Sequence, residues 1–209
     1  MLGSLQANLK EANRMTSRVS SLMILSFLVA NLGLRAPVAA ADDKPVLRLR
    51  AFAVNLNSRA RVRTGTIDIN IERWSTPEEA ARLRDILAEK GQDSLLEALQ
   101  KMKPRAGSIQ RTGQLGWDIH FAQQVVASNG SRRIVIATDR PMSFWEAANR
   151  PRSAEYQFTL AEIRLRPDGK GEGKLVPAAK IDFDKESNTL EIENYDTEPT
   201  RLTEVVIEK

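Results

Sequence analysis

Hydrophobic and polar residues alternate along most of this chain. Leu115, Trp117, Ile119 and Phe121 share one parity while Gly116, Asp118, His120 and Ala122 take the other, the period-two pattern of a strand with one buried face. Ile67, Ile69 and Ile71 alternate in the same way with Thr66, Asp68, Asn70 and Glu72, which marks a sheet with one solvated face. Two stretches change parity part-way. In residues 46–56, VLRLRAFAVNL, the apolar set moves from Leu47 and Leu49 to Phe52, Val54 and Leu56, and Tyr156, Phe158 and Leu160 give way to Ile163 and Leu165 near Ala161-Glu162. A change of face within one strand predicts a bulge or burial on both sides. Residues 134–137 read as a buried strand and residues 171–183 as a strand that Pro177 confines to an edge or a break; 189–195 and 201–208 complete the set.

A helical pattern interrupts the strands at about residues 76–103. Thr76 predicts an N-cap, with Pro77 at the first helical position and Glu79 placed to close a capping box; Leu83, Ile86 and Leu87 form an apolar stripe that ends at Gly91. Ser94 and Glu97 repeat the box beside Leu95, Leu96, Leu99 and Met102, and Pro104 lies just beyond. Helices this short are marginal alone, so the pair must pack its stripes against a sheet or close one end of a barrel. Asn129-Gly130 predicts a two-residue hairpin and Pro167-Asp168-Gly169 a further turn.

About eight strands with short turns, one helical insertion and no strand–helix alternation imply a mainly β, antiparallel fold. Eight consecutive strands can close on themselves and so lose their edges. This predicts a lipocalin-like up-and-down barrel, with a two-sheet β-sandwich as the alternative.

The first 41 residues follow another pattern. Arg14 and Arg18 precede an apolar run from Leu22 to Leu34, and Ala39-Ala40-Ala41 stand ahead of Asp42-Asp43. A run of about 13 apolar residues suits an export signal and falls short of the roughly 20 that span a bilayer as a helix. The pattern predicts a secretory signal peptide over residues 1–41, cut after Ala41, with Met15 as an alternative start and an uncleaved signal anchor as the competing expectation. Residues 42–209 then form a single β-rich domain without a transmembrane span. The leader holds four basic residues (Lys10, Arg14, Arg18, Arg35) and one acidic (Glu11), so the remainder carries 27 basic and 26 acidic residues, a net charge near +1. Such balance offers no concentrated basic face for nucleic acid. The chain has no cysteine, which excludes thiol catalysis, cysteine-based zinc sites and iron–sulfur clusters.

Candidate chemistry is sparse. His120 is the one histidine, and its parity with Asp118 places it on a solvated face; neither a multi-histidine metal site nor a G-x-S-x-G nucleophile elbow is present. Asp182, Asp184, Glu186, Asn188 and Glu193 have the spacing of a calcium loop, but Ser187 stands where the sharp turn needs glycine, so a polar hairpin turn is expected and no metal site. Gly169, Gly171 and Gly173 open a strand rather than a helix, which makes them turn and bulge glycines and not a phosphate cradle. The stretch RRIVIATDRPMSFWEAANRP, residues 132–151, breaks from a strand into a loop, and binding residues concentrate on such connections. Asp139, Arg140, Glu146 and Arg150 beside Phe144 and Trp145, with Trp117, form the candidate ligand-binding set, since arginine on an aromatic ring with an orienting carboxylate recognises anionic or planar groups. The bland alternative has Arg140 paired with Glu146 and the aromatics capping the core. No catalytic residue and no cofactor is assigned.

Three segments, residues 65–69 through Arg73-Trp74-Ser75, Leu115-Gly116-Trp117-Asp118, and 137–141 through Phe144-Trp145-Glu146, resemble an uncharacterised family of exported bacterial proteins. The resemblance implies a periplasmic or extracellular location and brings no activity, cofactor or catalytic residue. The first functional expectation is a non-enzymatic exported β-domain that binds a small, largely apolar ligand in its barrel or at its mouth, with Ala51, Ala53, Ala122 and Ala137 leaving interior space. The alternative is a structural or protein-interaction module of the bacterial envelope with a filled core. It would meet an envelope protein through an edge near Pro177 or the outer face of the helical pair. An enzyme using Asp139, Glu146 and Arg140 in acid–base work ranks third.

Overall fold

The computed structural model describes residues 23–25, 45–56, 63–113, 115–142, 155–187, 189–195 and 198–208. Its strands are β1 (Met23–Leu25), β2 (Leu47–Asn55), β3 (Arg63–Ile71), β4 (Gly107–Arg111), β5 (Trp117–Val126), β6 (Arg132–Thr138), β7 (Phe158–Leu165), β8 (Lys170–Asp184), β9 (Thr189–Asn194) and β10 (Thr200–Ile207). Helices α1 (Pro77–Lys90) and α2 (Gln92–Lys101) lie between β3 and β4. Strands β2 to β8 pair in succession, each antiparallel to the next, and β10 fits between β8 and β2. The result is a closed eight-stranded antiparallel barrel with a helical insertion, in agreement with the up-and-down architecture expected from the strand pattern. The two routes to the number eight differ. The pattern missed the five-residue β4, and β9, which it counted, lies outside the barrel on the far half of β8.

Strand β8 explains how one chain builds both barrel and extension. Its residues 170–175 pair with β10 and its residues 179–184 with β9. Pro177 sits at the changeover, where its missing N–H interrupts no continuous ladder on that side. The outer edge of β9 carries β1, three residues from within the apolar leader run, paired as Met23 with Ile192 and Leu25 with Leu190. The rest of the expected leader lies outside the described residues. Among the described residues no helix is long and apolar enough to cross a membrane.

The parity changes resolve differently from one strand to the next. β2 keeps one register throughout, with Leu47, Leu49, Ala51 and Ala53 buried and Arg48, Arg50 and Phe52 exposed, so the expected switch to Phe52 does not occur. Ala51 and Ala53 stand at interior positions there, packed in the barrel core with the isoleucines. β7 is not bulged near Ala161-Glu162 as expected: Phe158 and Leu160 pack outward with the helices while Ala161, Ile163 and Leu165 face the barrel, so both faces are buried, and the register shift between Phe158 and Leu160 puts the extra residue on β8. Both tight hairpins use three-residue loops. In each the residue before the loop accepts from the loop glycine's N–H, Ala127 from Gly130 and Arg166 from Gly169, and the glycine takes φ near +80° (81° and 79°). That is a type I turn closed by a left-handed glycine, so Asn129-Gly130 is not the two-residue turn expected.

Two hydrophobic cores result. Inside the barrel, Leu49, Ile67, Ile69, Ile71, Ile109, Ile119, Ile134, Ile136, Ile163 and Leu175 pack with Ala51, Ala53 and Ala122. Outside it, Leu83, Leu87, Leu95, Ala98 and Leu99 of the helices pack on Phe158, Ala179 and Ile181, with Phe121, Leu160, Val176, Leu190 and Ile192 around them. The helical stripes therefore cover the wall of β5, β7 and β8 and the β8–β9 extension. α1 starts with the capping box read from the sequence, Thr76 with Glu79. α2 starts at Gln92, with Gly91 (φ 79°) as N-cap and no side-chain cap, so the second box expected at Ser94 and Glu97 does not form; the Gln92 side-chain amide donates to the Glu155 carbonyl (3.0 Å) and accepts from the Ile181 N–H (3.3 Å).

Candidate functional site

Where β6 ends, three of the six buried polar residues among the described ones, His120, Thr138 and Thr159, come together. A register shift between Ile119 and Phe121 puts a bulge at His120, which leaves Phe121 facing the helices and turns His120 into the protein. The histidine is 9% exposed, so the solvated position expected from its parity is wrong; the bulge breaks the alternation on which that expectation rested. Its Nε2 lies 3.5 Å from Asp139 Oδ1, and its Nδ1 is buried without a hydrogen-bond partner among the described residues. His120 and Asp139 thus meet where β6 runs into the turn.

The turn after Asp139 is held firmly. Thr138 Oγ1 donates to the Arg140 carbonyl at 2.7 Å and accepts from the Thr159 N–H at 3.2 Å. Thr159 Oγ1 accepts from the Met142 N–H at 2.8 Å and lies 2.8 Å from the Pro177 carbonyl and 3.1 Å from that of Arg140. These two threonines tie the turn to β7 and β8. Arg140 takes part through its carbonyl and its side chain is exposed. Trp117 is half-buried against the barrel core, as is Trp74. Of the candidate set, the structure thus places Asp139 beside His120 and Trp117 in the wall; Phe144, Trp145, Glu146 and Arg150 lie outside the described residues.

A second polar feature lies on the outer wall of β2, β3 and β4. The register that buries Leu49, Ala51, Ile67, Ile69 and Ile109 sends Arg48, Arg50, Asp68, Asn70, Ser108 and Gln110 outward. With Glu72, Arg105 and Glu208 they line a groove of about 500 Å³. Arg50 contacts Asp68 at 2.9 Å and Glu208 at 2.7 Å, and Arg105 contacts Glu72 at 2.8 Å and Asp118 at 2.6 Å. Hydrogen bonding to Asp68, reinforced by the charges of Asp68 and Glu208, holds the Arg50 pKa above its usual value, and hydrogen bonds from Arg105 to Glu72 and Asp118 do the same there. Arg48 has no ion-pair partner among the described residues. Alternation puts Arg48, Arg50, Asp68, Asn70 and Glu72 on the outward parity; that they share one groove with Ser108, Gln110 and Arg105 depends on β4 and its pairing with β3, which the sequence pattern did not reveal.

The scan of protein-family models, the search of curated proteins and the search of solved structures each found no match to this chain.

Proposed function

We propose that this chain is an exported, non-enzymatic recognition module whose barrel is a scaffold and whose partner binds on the outside. One observation carries the reading. Ile67, Ile69, Ile71, Ile109, Ile119, Ile134, Ile136, Ile163 and Leu175, with Ala51, Ala53 and Ala122, are each no more than 1% accessible. Side chains around a cavity wide enough for water keep accessible area, and a pocket for a small ligand needs about 300 Å³ or more. The space expected beside the small residues is taken up by isoleucine. This supports the filled-core interaction module over an apolar ligand held inside. Export rests on the leader pattern of residues 1–41 and on the resemblance to exported bacterial proteins.

Native mass spectrometry of the purified protein after incubation with envelope lipids and small metabolites tests the scaffold reading. A bare protein mass is expected; a retained apolar ligand whose loss follows an interior substitution would overturn it. For export, fractionation and N-terminal sequencing should find a chain beginning at Asp42 in the periplasm or the medium. A cytoplasmic chain with its leader intact would refute that part.

A further inference from the structure

We propose that the outer edge of β9 is a strand-acceptor site for an extended protein segment in which apolar residues alternate with basic ones. The inference rests on the export reading above and names a partner for the outside of the scaffold. β9 stands off the barrel with one side paired to residues 179–184 of β8. Among the described residues its other side meets only β1, three residues of the leader run, in antiparallel register. A cut after Ala41 removes that strand and leaves β9 an open edge, a row of backbone N–H and C=O groups that templates a further strand. The seated β1 shows that the edge accepts one, and in which direction and phase. Main-chain hydrogen bonds then supply affinity, and the side chains on the two faces choose the visitor.

The two faces of β9 ask for different side chains. Leu190 and Ile192 pack on the helix-covered core, whereas Glu191 and Glu193 are exposed on the opposite face. A visiting strand therefore needs apolar residues opposite Leu190 and Ile192 and bases opposite the glutamates. The leader strand meets half of this. Its register sets Met23 opposite Ile192 and Leu25 opposite Leu190 but Ile24 opposite Glu191, and it spans three of the six residues of β9. A second copy of the chain fits less well. Antiparallel pairing of β9 with itself about a twofold axis normal to the sheet keeps each face, so glutamates stand opposite glutamates, and like charges so placed are destabilising. The surroundings favour a basic visitor. Residues 179–194 hold five carboxylates (Asp182, Asp184, Glu186, Glu191, Glu193) against Lys180 and Lys185, and Lys180 already contacts Glu155 at 3.5 Å. The local field thus draws positive charge to this edge.

The probe is a fluorescent peptide of alternating valine and lysine, about eight residues long, a length typical of a strand. It is titrated by anisotropy into the full chain and into the chain that begins at Asp42, whose barrel contains no leader residue. The leader-free chain should bind at least about tenfold more tightly, the affinity should fall with added salt, and the amides of residues 190–194 should gain protection from hydrogen exchange. Glu191→Lys should weaken binding about tenfold and admit an alternating valine–glutamate peptide instead. Its unfolding midpoint should be kept, because position 191 is exposed and stands opposite Asp182 of β8. Equal binding by both chains, protection confined to other residues, an unchanged affinity after Glu191→Lys, or a leader-free dimer whose β9 amides are protected without peptide would each overturn the proposal. The two failures are separable. A chain recovered from the cytoplasm with its leader intact refutes the export reading and leaves the edge filled, whereas a chain cut at Asp42 that binds no peptide refutes the acceptor edge alone.

Discussion

Thr159 shows how much a single side chain can hold. Its hydroxyl serves the Met142 N–H and the Pro177 and Arg140 carbonyls in a place where the residue itself is 2% exposed. Thr159→Val keeps the shape and removes the hydroxyl, but the Met142 N–H still meets the Pro177 carbonyl at 2.9 Å and the Arg140 carbonyl keeps the Thr138 hydroxyl, so the variant should lose about 1 kcal/mol in urea unfolding, the net worth of an intramolecular hydrogen bond. Faster exchange at the Met142 amide should accompany the loss. Tyr156 offers a titration. Its hydroxyl donates to Glu193 at 2.6 Å, and that bond, with burial and the neighbouring charges of Glu193 and Glu155, pushes its pKa up to about 12. The folded state thus favours the neutral phenol. Its contribution is complete below the ordinary tyrosine pKa of about 10 and is lost as pH rises through about 12. Absorbance of the phenolate should show this late step, and Tyr156→Phe should remove it, leaving the chain's other tyrosine, Tyr195. None of these partners adjoins its residue in sequence, which is why no local pattern announced them.

The β7–β8 hairpin shows how elements meet. A methyl group on Gly171 would overlap the Arg164 carbonyl, and one on Gly173 would lie 2.6 Å from that of Glu162. Gly171→Ala should cost about 2 kcal/mol or more through forced displacement of β7, read as a lower thermal midpoint. These glycines were legible as strand glycines, and their reason is the close approach of β7. On the outer face of β7, Glu162 receives Arg164 Nε at 2.8 Å and Arg133 Nε at 3.0 Å. Burial alone would raise its pKa, but hydrogen bonds from Arg164 and Arg133, with their charges, outweigh that and hold it below the usual glutamate value. A lowered folded pKa gives stability that is present above the unfolded value and lost as pH falls through the lowered one. Glu162→Gln should therefore cost about 2 kcal/mol at neutral pH, and the gap to the parent should shrink in acid below about pH 4, the ordinary carboxylate range. Alternation located β3 and β6 well. It failed in β2, where Phe52 is as apolar as a core residue but faces out, and at the β5 bulge, where a residue added to one strand reverses every face beyond it.

Closure gives the whole molecule its character. Eight staggered strands leave an interior that side chains can fill, and here isoleucines and alanines fill it. Ile69→Ala should cost about 3 kcal/mol and leave a cavity. Xenon or benzene should then raise the midpoint of the variant but not that of the parent; a parent stabilised by benzene would show that its barrel is not full. The helices add a second core on the outer wall, which unites the barrel with the β8–β9 extension. By itself the sequence determined most strand periods, the capped first helix, the turn positions and the antiparallel class, because those follow from local periodicity and backbone preference; between barrel and sandwich it gave only an expectation. Only the tertiary structure decided that β10 closes the ring while β9 stays outside, that the helices cover the wall instead of plugging an end, that His120 turns inward onto Asp139, and that the outward arginines and carboxylates of β2 to β4 share a groove. Each of those depends on strand register and bulge position, which are set by pairing between residues far apart in the chain, and a pattern of period two is silent about its partner.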